Sequence, residues 1–194
     1  MKQHLTLPNQ LTILRLLLVP CIAVLMSVGF PHHMLWALAL FALAMFTDTL
    51  DGQIARRRHL VTELGKFLDP LADKMLISTV LVIFVWQSML PLWVVLIIIA
   101  REFLITGLRS VAASQGVVVA ATSWGKSKTL TQTIMIFVIF LVPSFSWLHY
   151  AVPYIVGVAT VATILSGLDY LWRYRRFVLQ ATGSCRIGTA HWQV

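Results

Sequence analysis

Charge is scarce in this chain of 194 residues: Asp, Glu, Lys and Arg make up 11% of it, against 59% in the set AVILMFWYC. Average soluble domains carry about 25% charged and about 45–50% apolar residues. A soluble globule of this composition would leave apolar surface in water, and disorder needs low hydrophobicity with high charge. Both classes are excluded. Cysteine is nearly absent, with Cys21 in an apolar run and Cys185 in the tail, so no disulfide framework or zinc site follows. The six histidines (His4, His32, His33, His59, His149, His191) fall in loops, termini or turns. No Ser–His or Cys–His constellation forms, and a covalent histidine intermediate has nowhere to sit. The first apolar run lacks a short core followed by a small-residue cleavage site, so it reads as a retained span. No internal repeat or low-complexity tract occurs. Acidic residues are few, seven against fifteen basic, for a net charge of +8. Without a basic, aromatic-interleaved patch on a soluble module, that excess does not indicate nucleic acid.

What remains is an all-α integral membrane protein. Long apolar runs near 10–30, 34–56, 69–90, 92–112, 129–147 and 151–172 predict six transmembrane helices of about 20 residues each. Ser88-Met89-Leu90-Pro91 leaves room only for a hairpin between the third and fourth, and Pro91 suits the first turn of a helix. Lys2 and Arg15 lie at the start, Arg56, Arg57, Arg58 and Lys66 after the second run, and Arg109, Lys126 and Lys128 around the end of the fourth. Arg173, Arg175, Arg176 and Arg186 follow the sixth, and Lys74 and Arg101 fall inside the third and fourth runs. The loops around 31–33, 88–91 and 143–150 hold no Lys or Arg. This asymmetry predicts both termini in the cytoplasm. One membrane domain is expected over 1–179. Residues 180–194 lose helical periodicity and read as a flexible tail, as readily an appended segment as a native one.

Six of the seven acidic residues sit in or beside the apolar runs: Asp48, Asp51, Asp69, Asp73, Glu102 and Asp169. Ionisable groups are expensive there and mark function by default, although Arg101 and Glu102 would serve equally well as a structural ion pair. Asp48 and Asp51 are spaced i, i+3 and Asp69 and Asp73 i, i+4, so each pair shares a helix face. Both pairs lie near the cytoplasmic boundary on helices joined by a short loop. Converging carboxylates repel by about 4 kcal/mol per close pair at an effective dielectric of about 20, which Lys74 alone does not offset. Hard divalent cations do, and all-oxygen ligation selects Mg²⁺, Mn²⁺ or Ca²⁺. Four carboxylates suffice for two ions, the arrangement that clamps both oxygens in phosphoryl transfer. Gly52 and Gly65 allow close backbone approach of a bulky ligand. Arg56, Arg57, Arg58, Lys66 and Lys74 offer cations to phosphate. The combination indicates a phosphate ester handled at the cytoplasmic face.

Residues 48–73 read D-T-L-D-G-Q-I-A-R, eight residues, then G-K-F-L-D-P-L-A-D. This is similar at every defining position to the CDP-alcohol phosphotransferase motif, D-x2-D-G-x2-A-R-x8-G-x3-D-x3-D. Three further runs resemble members of that family whose acceptor is sn-glycerol 3-phosphate: Pro8–Arg15, Arg101–Arg109, and Gly125–Thr129 with Gln132. The aspartate motif alone is shared with the phosphatidylserine, phosphatidylinositol phosphate and cardiolipin synthases of the family.

The resemblance implies transfer of a phosphatidyl group from CDP-diacylglycerol to sn-glycerol 3-phosphate, releasing CMP. It implies a homodimer in a bacterial cytoplasmic membrane with the site on the cytoplasmic side. Asp48, Asp51, Asp69 and Asp73 would hold two divalent ions, Mg²⁺ or Mn²⁺, with Asp73 also the general base. Gly52, Ala55, Arg56 and Gly65 would line the cytidine diphosphate pocket. The acceptor is a dianion and needs further cations, for which Arg109, Lys126 and Lys128 are the candidates. Arg101, about 12 Å deeper than Arg109 along a helix, would serve the pocket floor or Glu102. Two other classes fit less well. A transporter would show repeat-related broken helices near the midplane, and a non-catalytic binding protein would not need a deep fourth aspartate.

Overall fold

The computed structural model describes the backbone of residues 7–58, 63–114 and 123–183, and the side chains of 12–47, 70–112, 125 and 127–172. It contains six α-helices: α1 (Leu7–Ser27), α2 (His33–Arg58), α3 (Glu63–Trp86), α4 (Leu92–Ser114), α5 (Ser123–Leu141) and α6 (Val152–Gly183). A short 3-10 helix, Ser146–Tyr150, precedes α6. No strand occurs among the described residues. The helices run from 19 to 32 residues, or about 28–48 Å.

The connections explain where the helices stop. At the end of α3, Met89 N–H donates to Phe84 O (2.8 Å) and Ser88 N–H to Val85 O (2.9 Å). That is the paired pattern of a Schellman cap. Ser88 takes the left-handed position with φ 59, a conformation that glycine adopts more cheaply. Pro91 follows and α4 begins at Leu92. On the α1–α2 side, His32 has φ 63 and its carbonyl receives the Leu35 and Trp36 amides. The fifth helix was expected at 129–147 but spans Ser123–Leu141. Pro143 disfavours helix at the residue before it, and the chain turns through Val142–Phe145. α6 continues past the expected limit at 172 to Gly183; residues 184–194 of the expected tail lie outside the described ones.

The main helix contacts run α1–α2–α5–α6–α4–α3 and back to α1, closing a ring of six. α1 packs against both α2 and α3, so the two motif helices share a neighbour. At the end where α1, α3 and α5 finish, the centre is filled with aromatic rings. Phe84 and Phe140 meet edge to face at 4.9 Å, Phe41 lies 5.8 Å from Phe140, and all three are fully buried. There too, the Gln87 side-chain amide donates to Met26 O at 2.7 Å, tying α3 to α1. Buried polar residues (Thr12, Arg15, Lys128, Gln132, Thr163 and Ser166) lie nearer the opposite end, where α3 and α5 begin.

The outside of the ring is apolar as well. Leu17, Trp36, Phe46, Trp86, Trp93, Leu96, Leu130, Val161 and Trp172 are each more than half exposed. One stretch among the described residues, Val152–Trp172, is long and apolar enough to cross a membrane. Thr12–Ser27, His33–Thr47 and Ser127–Leu141 are shorter apolar stretches. The six expected helices are present, and over the described residues one of them meets that length and composition.

Candidate active site

Asp48 and Asp51 fall on α2, in its last turns before Arg58, and Asp69 and Asp73 fall near the start of α3. The backbone thus carries both pairs toward the same end of the bundle, with the predicted i, i+3 and i, i+4 spacing on helix. Pro70 stands inside α3 and has no N–H for the carbonyl of Lys66 four residues back, which loosens the helix where Asp69 sits. The side chains of Asp48, Asp51, Ala55, Arg56, Asp69 and Lys126 lie outside the described residues, as do any contacts of Gly52 and Gly65. Asp73 is described and half-buried. Among the described residues no three His, Cys, Asp or Glu gather closely enough to hold an ion. All four donors of the motif are carboxylates, a set that fits a hard divalent cation rather than zinc or copper.

Beside this motif the bundle opens into a recess of 620 Å³. Its cationic lining comes from Lys74 on α3, next in sequence to Asp73, and from Arg101 and Arg109 on α4. Glu102 and Thr106 complete the α4 wall, Gly125, Thr129 and Thr133 supply α5, and Tyr170 closes the α6 side. Thr129 and Thr133 hydroxyls donate back to the carbonyls of Gly125 and Thr129, at 3.1 and 2.9 Å. They keep lone pairs for a ligand that donates.

One ion-pair network ties the wall together. Glu102 Oε1 accepts from Arg101 Nη1 at 2.9 Å and from Lys128 Nζ. Arg101 Nη2 in turn donates to Ser166 Oγ at 2.6 Å. The Arg101 stem lies across Gly167, where an added Cβ would sit 3.4 Å from Arg101 Cγ. Lys128, the expected phosphate cation, is 3% exposed and engaged by Glu102, and is not among the residues that line the recess. Arg101 pairs with Glu102 and also lines the recess. Tyr170, Thr106 and Ser166 were not singled out from the sequence. Isolated hydroxyls on apolar helices carry no pattern, and only the ring order of helices brings Ser166 to Arg101 and Tyr170 to the recess.

The family model for CDP-alcohol phosphatidyltransferase matches residues 5–180. A Bacillus subtilis protein named "CDP-diacylglycerol--glycerol-3-phosphate 3-phosphatidyltransferase" is 40% identical over 182 residues, covering 84% of this chain and 92% of its own. A Rickettsia bellii protein of the same name is 35% identical over 180 residues, covering 91% and 99%. A Mycobacterium tuberculosis protein named "Probable phosphatidylglycerophosphate synthase" is 39% identical over 174 residues, covering 88% and 82%. With a family match over nearly its whole length and relatives this similar, the chain belongs to the CDP-alcohol phosphatidyltransferase family.

Proposed function

We propose that this protein transfers the phosphatidyl group of CDP-diacylglycerol to sn-glycerol 3-phosphate, giving phosphatidylglycerol phosphate and CMP. The observation that carries this reading is the recess lined by Arg101, Arg109 and Lys74, the last next in sequence to Asp73, in a chain 40% identical to a relative whose name states that reaction. A small dianion with a primary hydroxyl matches such a recess: Arg109, Arg101 and Lys74 take the phosphate, and the hydroxyl is left for Asp73. Lys126, next to Gly125 of the lining, adds a further cation.

Asp73 accepts the hydroxyl proton as the alkoxide oxygen bonds to the phosphorus that carries diacylglycerol. The bond from that phosphorus to the oxygen shared with the CMP phosphate breaks, and CMP leaves. A base within hydrogen-bond reach contributes about 10²–10⁴-fold. Asp48, Asp51 and Asp69, with Asp73, would hold two divalent ions. When bound, these supply charge stabilisation for the pyrophosphate and the departing CMP. Gly52, Ala55, Arg56 and Gly65 hold the cytidine diphosphate. The apolar exterior and the exposed tryptophans near the helix ends suit lipid and its interfaces. The protein is read as a six-span homodimer of a bacterial cytoplasmic membrane, with this site on the cytoplasmic side.

Arg109 lines the recess without belonging to the Glu102 network. Loss of a charge-assisted contact to phosphate costs about 1.5–3 kcal/mol. Arg109→Ala should therefore lower kcat/KM for glycerol 3-phosphate about 10- to 150-fold with CDP-diacylglycerol affinity nearly unchanged. A variant that kept its acceptor kinetics but lost donor affinity would move the acceptor elsewhere.

A further inference from the structure

Two cations and one carboxylate meet in the wall of the recess, and their exposures differ. Side-chain exposure is 14% for Arg101, 21% for Glu102 and 4% for Lys128. Arg101 and Glu102 face the recess, whereas Lys128 lies behind it. A buried ammonium without a counter-charge is strongly disfavoured, and a buried pair that loses one member leaves the other uncompensated. Glu102 therefore does two things at once: it neutralises Lys128 and fixes one edge of the Arg101 guanidinium, while Ser166 fixes another nitrogen. Arg101 Nε is also buried, with no hydrogen-bond partner, which leaves a donor unmet in the wall. The three helices that carry this network are consecutive in the ring, with α6 between α5 and α4.

We propose that Glu102 is a positioning residue for the acceptor pocket. Its carboxylate sets the Arg101 guanidinium in the wall, and Lys128 acts through Glu102 rather than on the acceptor's phosphate. This rests on the reading of the recess as the glycerol 3-phosphate site. Lys128 is then the counter-charge that keeps Glu102 ionised and in place, and Arg101 is the group that touches the ligand.

Initial rates of the purified full-length protein with CDP-diacylglycerol and Mg²⁺, measured against glycerol 3-phosphate, test this. The variants are Glu102→Gln, Lys128→Met, the double variant and Arg109→Ala. Glu102→Gln should raise KM for glycerol 3-phosphate at least about tenfold, the loss of one charge-assisted contact, with the KM for donor unmoved. Lys128→Met should raise the same KM, and the double variant should be no worse than Glu102→Gln alone, since both substitutions break one unit. If the two single effects multiply in the double variant, Lys128 meets the phosphate independently and the proposal fails. It fails equally if Glu102→Gln lowers the Tm but leaves the acceptor KM unchanged. Should Glu102→Gln not fold, Glu102→Asp keeps the charge with a shorter reach and must show the same selective rise in acceptor KM; an unchanged KM overturns the proposal. Arg109→Ala separates the two levels. No change in acceptor KM there rejects the site itself, whereas a rise there beside an unmoved Glu102→Gln rejects only the positioning role.

Discussion

Asp73 and Lys74 are consecutive on α3. Lys74 lines the recess, while Asp73 belongs to the carboxylate motif at i+4 from Asp69. Asp73→Asn should cut turnover at least about 100-fold, the lower end of what a positioned base contributes. Metal-dependent binding of CDP-diacylglycerol should persist, because three carboxylates of the motif remain. Asp48→Asn and Asp69→Asn should weaken both binding and turnover. Equal loss of donor binding in all three variants would remove the case for a separate base. At this scale the placement of both aspartate pairs on helices was legible in the sequence, because helical spacing is a local property. The adjacent partner of Glu102, Arg101, was also legible, but the distant ones in this network were not. Lys128 lies 26 residues away and Ser166 lies 65 from Arg101, and which residues meet across such gaps depends on the packing register of α4, α5 and α6.

Helix existence was readable from the six apolar runs, and helix ends less so. The hairpin at Ser88–Pro91 was visible because four residues between two apolar runs leave no other connection. α5 begins six residues before its expected start, since Ser123–Lys128 is polar yet helical and joins the site rather than a loop. It stops early because a hydropathy reading runs through Pro143 while the backbone does not. The connections also carry the sidedness of the protein. With Cys21 and Cys185 replaced by Ser, Ser146→Cys should react with an impermeant maleimide added outside intact cells, and Leu60→Cys should react only after permeabilisation. Outside labelling of position 60 would put the motif end in the wrong compartment.

For the molecule as a whole, the ring order separates two environments inside one bundle. Phe41, Phe84 and Phe140 close one end with a dry core, and the other end keeps Arg15, Lys74, Arg101, Glu102 and Lys128 between helices. The composition pointed to an apolar bundle, and the motif indicated which end would be chemical. The closed ring α1–α2–α5–α6–α4–α3 was not visible, because helices that are apolar on all sides carry no stripe to say which face meets which neighbour. That ring brings α3, α4, α5 and α6 around a single recess, and under the proposed function its charges set the choice of acceptor. The measurement that bears most directly on this account is CMP release by the purified protein from CDP-diacylglycerol and Mg²⁺, with glycerol 3-phosphate, serine or inositol phosphate as acceptor. Release should be fast with glycerol 3-phosphate, giving phosphatidylglycerol phosphate as product, and slow with the other two. Faster release with serine or inositol phosphate would contradict the assignment.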